Sequence, residues 1–384
     1  RELSGGLLWP DPPLQLNPAF EPGGYVESLV DDGTLHEECR RIFRAGKDAQ
    51  DPVGRDLRLH RHQTDAIKAA KLGANYVLTT GTGSGKSLAY MVPIVDYALR
   101  NGAGDGRIKA IVVYPMNALA NSQENELGKF LKVGYPDGRP PVTFRRFTGQ
   151  ENEEQREEIR RHPPDILLTN YVMLEYLLTR PVDEAIIRGA QGLPFLVLDE
   201  LHTYRGRQGA DVAVLVRRVR ERCKAPDLRC IGTSATMAGP GTFAEQQAEV
   251  ARVASRLFGA SVEPEHVIGE TLLPVTDDVD LDDEAFRDRL RDRVANGTPP
   301  ESYDASVSDP LASWIERVLG IIWSEADGRF HRCAPMPLRG EHGAAARLAK
   351  HTGLNGDHCT DALQAALLAG SNARNAAGFP IFAF

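Results

Sequence analysis

Long apolar runs are missing from this chain. No stretch approaches the ~20 consecutive apolar residues that a membrane-spanning helix needs. The first residues, Arg1-Glu2-Leu3-Ser4-Gly5-Gly6, lack the basic-then-apolar layout of a secretion signal. A cytoplasmic location is expected. Cysteine is scarce: Cys39, Cys223, Cys230, Cys333 and Cys359 are an odd number without a C-x-x-C pair, which argues against a disulfide framework and fits a reducing compartment. Cys333 stands near His331 and Cys359 next to His358, but structural zinc sites space their ligands more widely, so neither pair reads as half a metal site. Excess positive charge is also absent, with 45 basic against 53 acidic side chains and a net charge of −8. A nucleic-acid partner would have to be held by local clusters. An initiator Met is missing too, and Arg1 in its place reads as the start of a segment of a longer chain.

What is present is ordinary globular chemistry: 384 residues, 42% apolar and 26% charged, enough for two or three domains. Residues 1–56 are rich in Pro and Gly, with one short amphipathic stretch near 35–43, and read as an extended arm. Residues 57–270 alternate short apolar runs (76–79, 108–114, 142–147, 166–169, 195–198, 230–233) with helical patterns (62–72, 87–99, 118–131, 172–178, 209–224, 243–257). That alternation predicts an α/β fold, a parallel sheet sandwiched by helices, with ligands at the carboxyl ends of its strands. Residues 271–384 open on an acidic lead-in and predict a mainly helical segment with helices over 281–294, 311–326, 343–352 and 361–369. A final apolar run, 379–384, reads as a strand.

The run 76–79 leads directly into Thr80-Gly81-Thr82-Gly83-Ser84-Gly85-Lys86-Ser87 and then into an apolar helix. This is the strand–loop–helix setting of a phosphate-binding loop. Its glycines let backbone N–H groups turn inward around a phosphate, and the helix presents its positive end to the same anion. Lys86 is placed for the β/γ-phosphates of ATP and the Ser87 hydroxyl for Mg²⁺. Thr80 stands where the strict pattern has Gly, which favours the variant of the loop with a Gly-x-Gly-x-Gly-Lys core.

Several further motifs follow in order. They are His60-Arg61-His62-Gln63, Leu196-Val197-Leu198-Asp199-Glu200-Leu201-His202 and Ser234-Ala235-Thr236, with Pro115-Met116-Asn117 through Gln123, Thr148-Gly149 and Leu168-Thr169-Asn170 between them. By their order and spacing, residues 57–270 resemble the first RecA-like lobe of a superfamily 2 DExH-box helicase. The resemblance implies that Gln63 reads adenine, with His60 or Arg61 stacking on the base. It implies that Asp199 holds Mg²⁺ together with Ser87, that Glu200 activates the attacking water beside His202, and that Ser234, Ala235 and Thr236 couple nucleotide state to nucleic-acid grip. Pro115, Asn117, Gln123, Thr148, Gly149, Thr169 and Asn170 all follow apolar runs, where amides, hydroxyls and helix N-termini can bond successive phosphates. Arg205, in the loop after His202, is placed to face a strand. The basic residues from Arg217 to Arg229 fall on several helix faces and read as solvated surface.

More narrowly, Leu198 to Gly206 and Thr169 to Leu174 resemble the bacterial helicases related to MrfA, which carry a DUF1998 region and occur in DNA repair and in phage-defence systems such as DISARM and Druantia. That resemblance implies ATP-driven 3′→5′ movement on DNA, with RNA not excluded, and a zinc-binding cysteine cluster elsewhere in the protein. The second-lobe pattern Q-x-x-G-R-x-G-R is found nowhere in the 384 residues. The expectation is therefore the ATP-binding half of a helicase or translocase, weakly active alone, with repair or defence proteins as further partners. The competing expectation is an ATP-gated DNA clamp or loader that separates no strands.

Overall fold

Seven short segments line up as one parallel sheet: β1 (Tyr76–Thr79), β2 (Ala110–Tyr114), β3 (Phe144–Phe147), β4 (Ile166–Asn170), β5 (Phe195–Leu198), β6 (Arg229–Ser234) and β7 (Val267–Gly269). Their spatial order is β7-β1-β6-β5-β2-β4-β3, and every pair runs parallel. The computed structural model describes residues 13–81, 83–135, 139–204, 206–235, 241–375, 378 and 380–383.

Successive side chains of a strand point to opposite faces, and here both faces are buried. Tyr76, Leu78, Val112, Tyr114, Leu168 and Val197 join one core with the helices α1 (Arg61–Lys71), α2 (Lys86–Arg100) and α3 (Asn117–Leu131). Val77, Ile111, Val113, Leu167, Leu196 and Leu198 join the other, covered by α5 (Tyr171–Leu177), α6 (Gly206–Arg222) and α7 (Phe243–Phe258). A further helix, α4 (Glu153–Arg161), follows β3. It is closed at its start by a reciprocal bond pair in which Asn152 caps Gln155 N–H and Gln155 caps Asn152 N–H. The result is the three-layer α/β architecture with a RecA-like sheet.

The sheet has one strand more than the sequence pattern suggests. Val267-Ile268-Gly269 is only three residues long, and it pairs with β1 at the sheet edge. With it, the chain leaves the carboxyl edge seven times, after Thr79, Tyr114, Phe147, Asn170, Leu198, Ser234 and Gly269.

The chain divides into two compact units, 22–270 and 1–21 with 271–384. The segment read from the sequence as an arm is shared between the two units. Pro22–Tyr25 pairs with Arg58–His60, and Val26, Leu35, Cys39, Ile42 and Phe43 are core residues of the sheet unit. Pro13–Leu14 and Ala19–Phe20 instead pair with Met336–Pro337 and Leu272–Leu273 in the other unit.

That second unit gathers α8 (Glu284–Asn296), α9 (Pro310–Ile315), α10 (Ala344–Thr352) and α11 (Gly356–Asn372) around Phe286, Leu290, Trp314, Leu348 and Leu363. The helix expected over 311–326 stops early. After α9 one π-type turn leads into β8 (Ile321–Ser324), which pairs with β9 (Arg329–Arg332). The cause is local, because Ile321-Ile322-Trp323 favours extended backbone and Gly328, at φ 60°, closes the hairpin turn. The strand expected over 379–384 is reduced to single bridges, Arg374 with Pro380 and Asn17 with Ala383, its end residues lying outside the described set. No described helix is long and apolar enough to cross a membrane. The four described cysteines other than Cys333 are buried, and all five are free thiols.

Candidate nucleotide and nucleic-acid site

Between β1 and α2 the loop is built by two left-handed glycines, Gly83 at φ 80° and Gly85 at φ 72°. Gly85 is also the residue before α2, and no side chain caps the helix start, so its first N–H groups are left without a side-chain acceptor. A β-carbon at Gly85 would stand 2.6 Å from Gln63 Nε2. Thr80, fully buried, shares a hydroxyl bond with Ser84 at 2.7 Å. Lys86 Nζ rests on two carbonyls, Thr80 O at 3.2 Å and Ser234 O at 3.4 Å, with Glu200 Oε1 3.9 Å away.

Three side chains brace this loop from neighbouring elements. Gln63 Nε2 donates to Gly85 O at 2.9 Å, while its Oε1 accepts His60 N–H at 2.8 Å as part of the α1 cap. Buried at 2% exposure, Gln63 is thus a staple between α1 and the loop, and each end of its amide keeps one further hydrogen-bond valence. His62 Nε2 lies 2.9 Å from Ser84 O; a carbonyl only accepts, so that nitrogen carries the hydrogen. Burial lowers the pKa of His62 and holds that of His60 at about 4, so both rings are neutral at pH 7, stacked with centroids 5.5 Å apart. Arg61 extends to solvent near Asp65, at 3.7 Å. On the far side, Glu270 Oε2, just past β7, accepts Gly81 N–H at 2.9 Å.

The acidic pair leaves the end of β5. Asp199 is held through its N–H to Val113 O and through Oδ1, which accepts the Thr233 hydroxyl at 2.5 Å. Burial raises its pKa, the Thr233 bond pulls the other way and Glu200 adds repulsion. Glu200 adopts φ 54°, ψ 55°, a left-handed conformation rare outside glycine. Its Oε2 is 3.1 Å from His202 Nδ1, which also lies 3.4 Å from Ala235 N and 3.5 Å from Ser234 Oγ. The Ala235 N–H donates to Nδ1, so that nitrogen accepts there, and Glu200 Oε2 is a buried oxygen without a hydrogen-bond donor among the described residues. Ser87 stands at the start of α2, in the same turn as the buried Tyr90.

This donor set fits a magnesium nucleotide. Among the described residues no three His, Cys, Asp or Glu side chains converge as a metal cage; one half-buried carboxylate and one hydroxyl beside a glycine-rich loop are the sparse protein ligation that Mg²⁺ accepts when phosphates supply further oxygens.

Further along the same edge, several of the groups expected to contact phosphates are bonded to neighbouring protein groups. Thr169 is fully buried and donates to Phe147 O at 2.7 Å. Asn170 caps α5 through Met173 N–H and donates to Asn117 Oδ1 at 2.6 Å and to Thr148 O at 3.0 Å. Glu151 takes the amides of Thr148 and Gly149 at 2.8 and 2.9 Å and the Thr148 hydroxyl at 3.0 Å, while Arg146 holds the same carboxylate. A carboxylate three residues downstream therefore fills the place expected for a phosphate. Pro115, Asn117 and Gln123 remain partly exposed at and beyond the start of α3, where no side chain caps the helix. Thr82, Arg205 and Thr236 lie outside the described residues.

Sequence reasoning missed Thr233, Glu270 and Glu151. Thr233 offered a signal, a polar residue ending an otherwise buried strand. Glu270 offered little, since β7 is so short.

Comparison with known proteins agrees with this geometry. The model of the DEAD/DEAH box helicase family matches residues 60–242. The Druantia protein DruE of Escherichia coli is 26% identical over 337 residues, covering 59% of this chain and 18% of its own length. YprA of Bacillus subtilis, an uncharacterised ATP-dependent helicase, is 33% identical over 193 residues, covering 49% and 24%. This chain thus spans a quarter or less of the length of these relatives. Among solved structures, the DUF1998 helicase MrfA bound to DNA and AMPPNP superposes with a TM-score of 0.50 over 81% of this chain and 42% of that one, at 20% identity, a likeness of fold.

Proposed function

We propose, from the premise that residues 60–242 are a DEAD/DEAH box helicase domain, that the chain is the ATP-binding half of a DNA helicase or translocase moving 3′→5′. In this reading it serves repair or phage defence, and a second RecA-like lobe completes the motor. The observation that carries the reading is the convergence of Lys86, Asp199, Glu200, His202 and Ser234 at one carboxyl edge, beside an uncapped helix start.

Lys86 gives up two neutral carbonyls for phosphate oxygens, a stronger charge-assisted pairing. The open start of α2 supplies further N–H donors. Ser87 and Asp199 would hold Mg²⁺, which neutralises charge on the transferring phosphoryl group when bound. Glu200, turned out of the sheet by its left-handed backbone and flanked by His202, is placed as the base that orients water. Ser234 touches Lys86 through its carbonyl and His202 through its hydroxyl, so the end of β6 senses both sides of the nucleotide. Nucleic acid is met by the uncapped start of α3, with Pro115, Asn117 and Gln123 around it. Thr148, Gly149, Thr169 and Asn170 keep that platform rigid from behind.

The test is DNA-stimulated ATP hydrolysis by the full-length protein, with strand separation measured on 3′- and 5′-tailed duplexes. Stimulation that Lys86→Ala abolishes, with unwinding of the 3′-tailed duplex, supports the motor. ATP-dependent, salt-sensitive DNA binding without unwinding would support the clamp instead. Hydrolysis indifferent to DNA would overturn both.

A further inference from the structure

Thr233, fully buried at the end of β6, makes two hydrogen bonds of opposite sense. Its hydroxyl donates to Asp199 Oδ1 at 2.5 Å and accepts Glu200 N–H at 3.0 Å. A hydroxyl has one hydrogen, so the two bonds together fix its rotor. Both partners need such help. Asp199 carries its charge in a desolvated place, and Glu200 occupies a backbone region that side chains other than glycine avoid.

The neighbouring residue shows that the fit is local and tight. Leu198 lies opposite Gly232 in the β5–β6 register, so the turn after β5 must pack against the end of β6. A β-carbon at Gly232 would stand 2.2 Å from Leu201 Cδ1. Gly232 makes room for the turn, and Thr233 bonds its first residues.

The geometry assigns to Thr233 a positioning role: its hydroxyl sets the metal-binding carboxylate and the water-orienting carboxylate in register with each other and with β6. This rests on the nucleotide site proposed above. The residue stands outside the Ser-Ala-Thr motif that follows it, and it reaches the acidic pair directly, whereas Ser234 and Ala235 reach it through His202. Removing the hydroxyl frees the Asp199 carboxylate to rotate and leaves Glu200 N–H without its acceptor, so Glu200 leaves the left-handed region.

Two measurements on the 384-residue chain test this, using Thr233→Val, which keeps shape without the hydroxyl, and Thr233→Ser, which keeps the hydroxyl. In the nucleotide-free protein, hydrogen exchange of a peptide spanning 196–204 should quicken in the Val variant and match wild type in the Ser variant. In titrations with a fluorescent ATP analogue, the tightening that Mg²⁺ confers should fall roughly ten-fold for Val, with affinity in EDTA unchanged and Ser restoring the Mg²⁺ effect. Wild-type exchange together with wild-type Mg²⁺ dependence in the Val variant would overturn the assignment. Should Val unfold the domain, Thr233→Ala replaces it in both measurements. If the wild-type chain binds no nucleotide, the proposed function fails, while the exchange measurement still decides the role of Thr233.

Discussion

Glu270 Oε2 accepts the backbone hydrogen of Gly81 at 2.9 Å, joining residues 189 positions apart. The bond ties the first turn of the phosphate loop to the strand that closes the sheet edge. It also sets a negative charge beside a loop built to receive an anion.

These two effects separate by substitution. Glu270→Gln keeps an acceptor for Gly81 N–H and removes the charge, so nucleotide affinity should rise a few-fold as repulsion of the phosphates disappears. Glu270→Ala removes the acceptor as well, and the loosened loop should bind more weakly than the Gln variant. Equilibrium titration with a fluorescent ATP analogue at low salt ranks the three proteins, and a Gln variant weaker than wild type would contradict this account.

Asp199 illustrates a conflict between stability and function. Its pKa is raised, chiefly by burial, so the folded state binds this proton more readily than the unfolded chain does. Its contribution to stability is therefore fully present below the unfolded pKa and is lost as pH rises through the folded pKa. Asp199→Asn, whose side-chain oxygen can still accept from Thr233, should raise the melting temperature of the nucleotide-free chain at neutral pH while abolishing hydrolysis. A gain of about 1 kcal/mol corresponds to about 2–4 °C in a domain of 150–250 residues, readily seen by calorimetry.

Glu151 behaves in the opposite sense. Burial alone would raise its pKa, but its own backbone amide, the Thr148 amide and hydroxyl, and Arg146 outweigh burial and lower it. A depressed carboxylate contributes stability that is present above the unfolded pKa and lost as pH falls through the folded one. Glu151→Ala leaves two amides and a hydroxyl without their acceptor, at a cost of about 2 kcal/mol. Denaturant unfolding at pH 7 and pH 3 should show the difference at the first and a much smaller one at the second.

How far the sequence could be read follows from which forces are local. The inner strands of the sheet, such as Tyr76–Thr79, Ala110–Tyr114 and Phe195–Leu198, stand out because burial on both faces demands near-continuous apolar runs, and the phosphate loop because its glycines must sit at fixed spacing. Val267–Gly269 escapes, since three residues cannot display a period. The hairpin at Ile321–Ser324 escapes for a different reason: a short apolar run continues a helical pattern as well as it starts a strand. At the site, residue types were legible and their partners were not. Gln63 faces the loop, Thr169 faces Phe147 O, and Thr148 and Gly149 are filled by Glu151. Each pairing joins groups that the sequence separates or whose direction only the packed backbone fixes.

The described nucleotide site lies along one edge of a single sheet, with Lys86 as its cation on the phosphate side, and the arginine-bearing second-lobe pattern is found nowhere in the 384 residues. An arginine delivered from a separate element is worth about 10³–10⁵ in turnover in phosphoryl-transfer enzymes. The 384-residue chain should therefore bind ATP with an affinity close to that of the full-length protein and hydrolyse it slower by a factor within that range. Single-turnover hydrolysis at saturating protein separates binding from chemistry. Adding DNA should accelerate the full-length protein and leave the 384-residue chain unchanged, because in the proposed motor the interaction that DNA organises is made by a second lobe. Comparable single-turnover rates for the two proteins would mean that the edge described here carries its own means of stabilising the transition state.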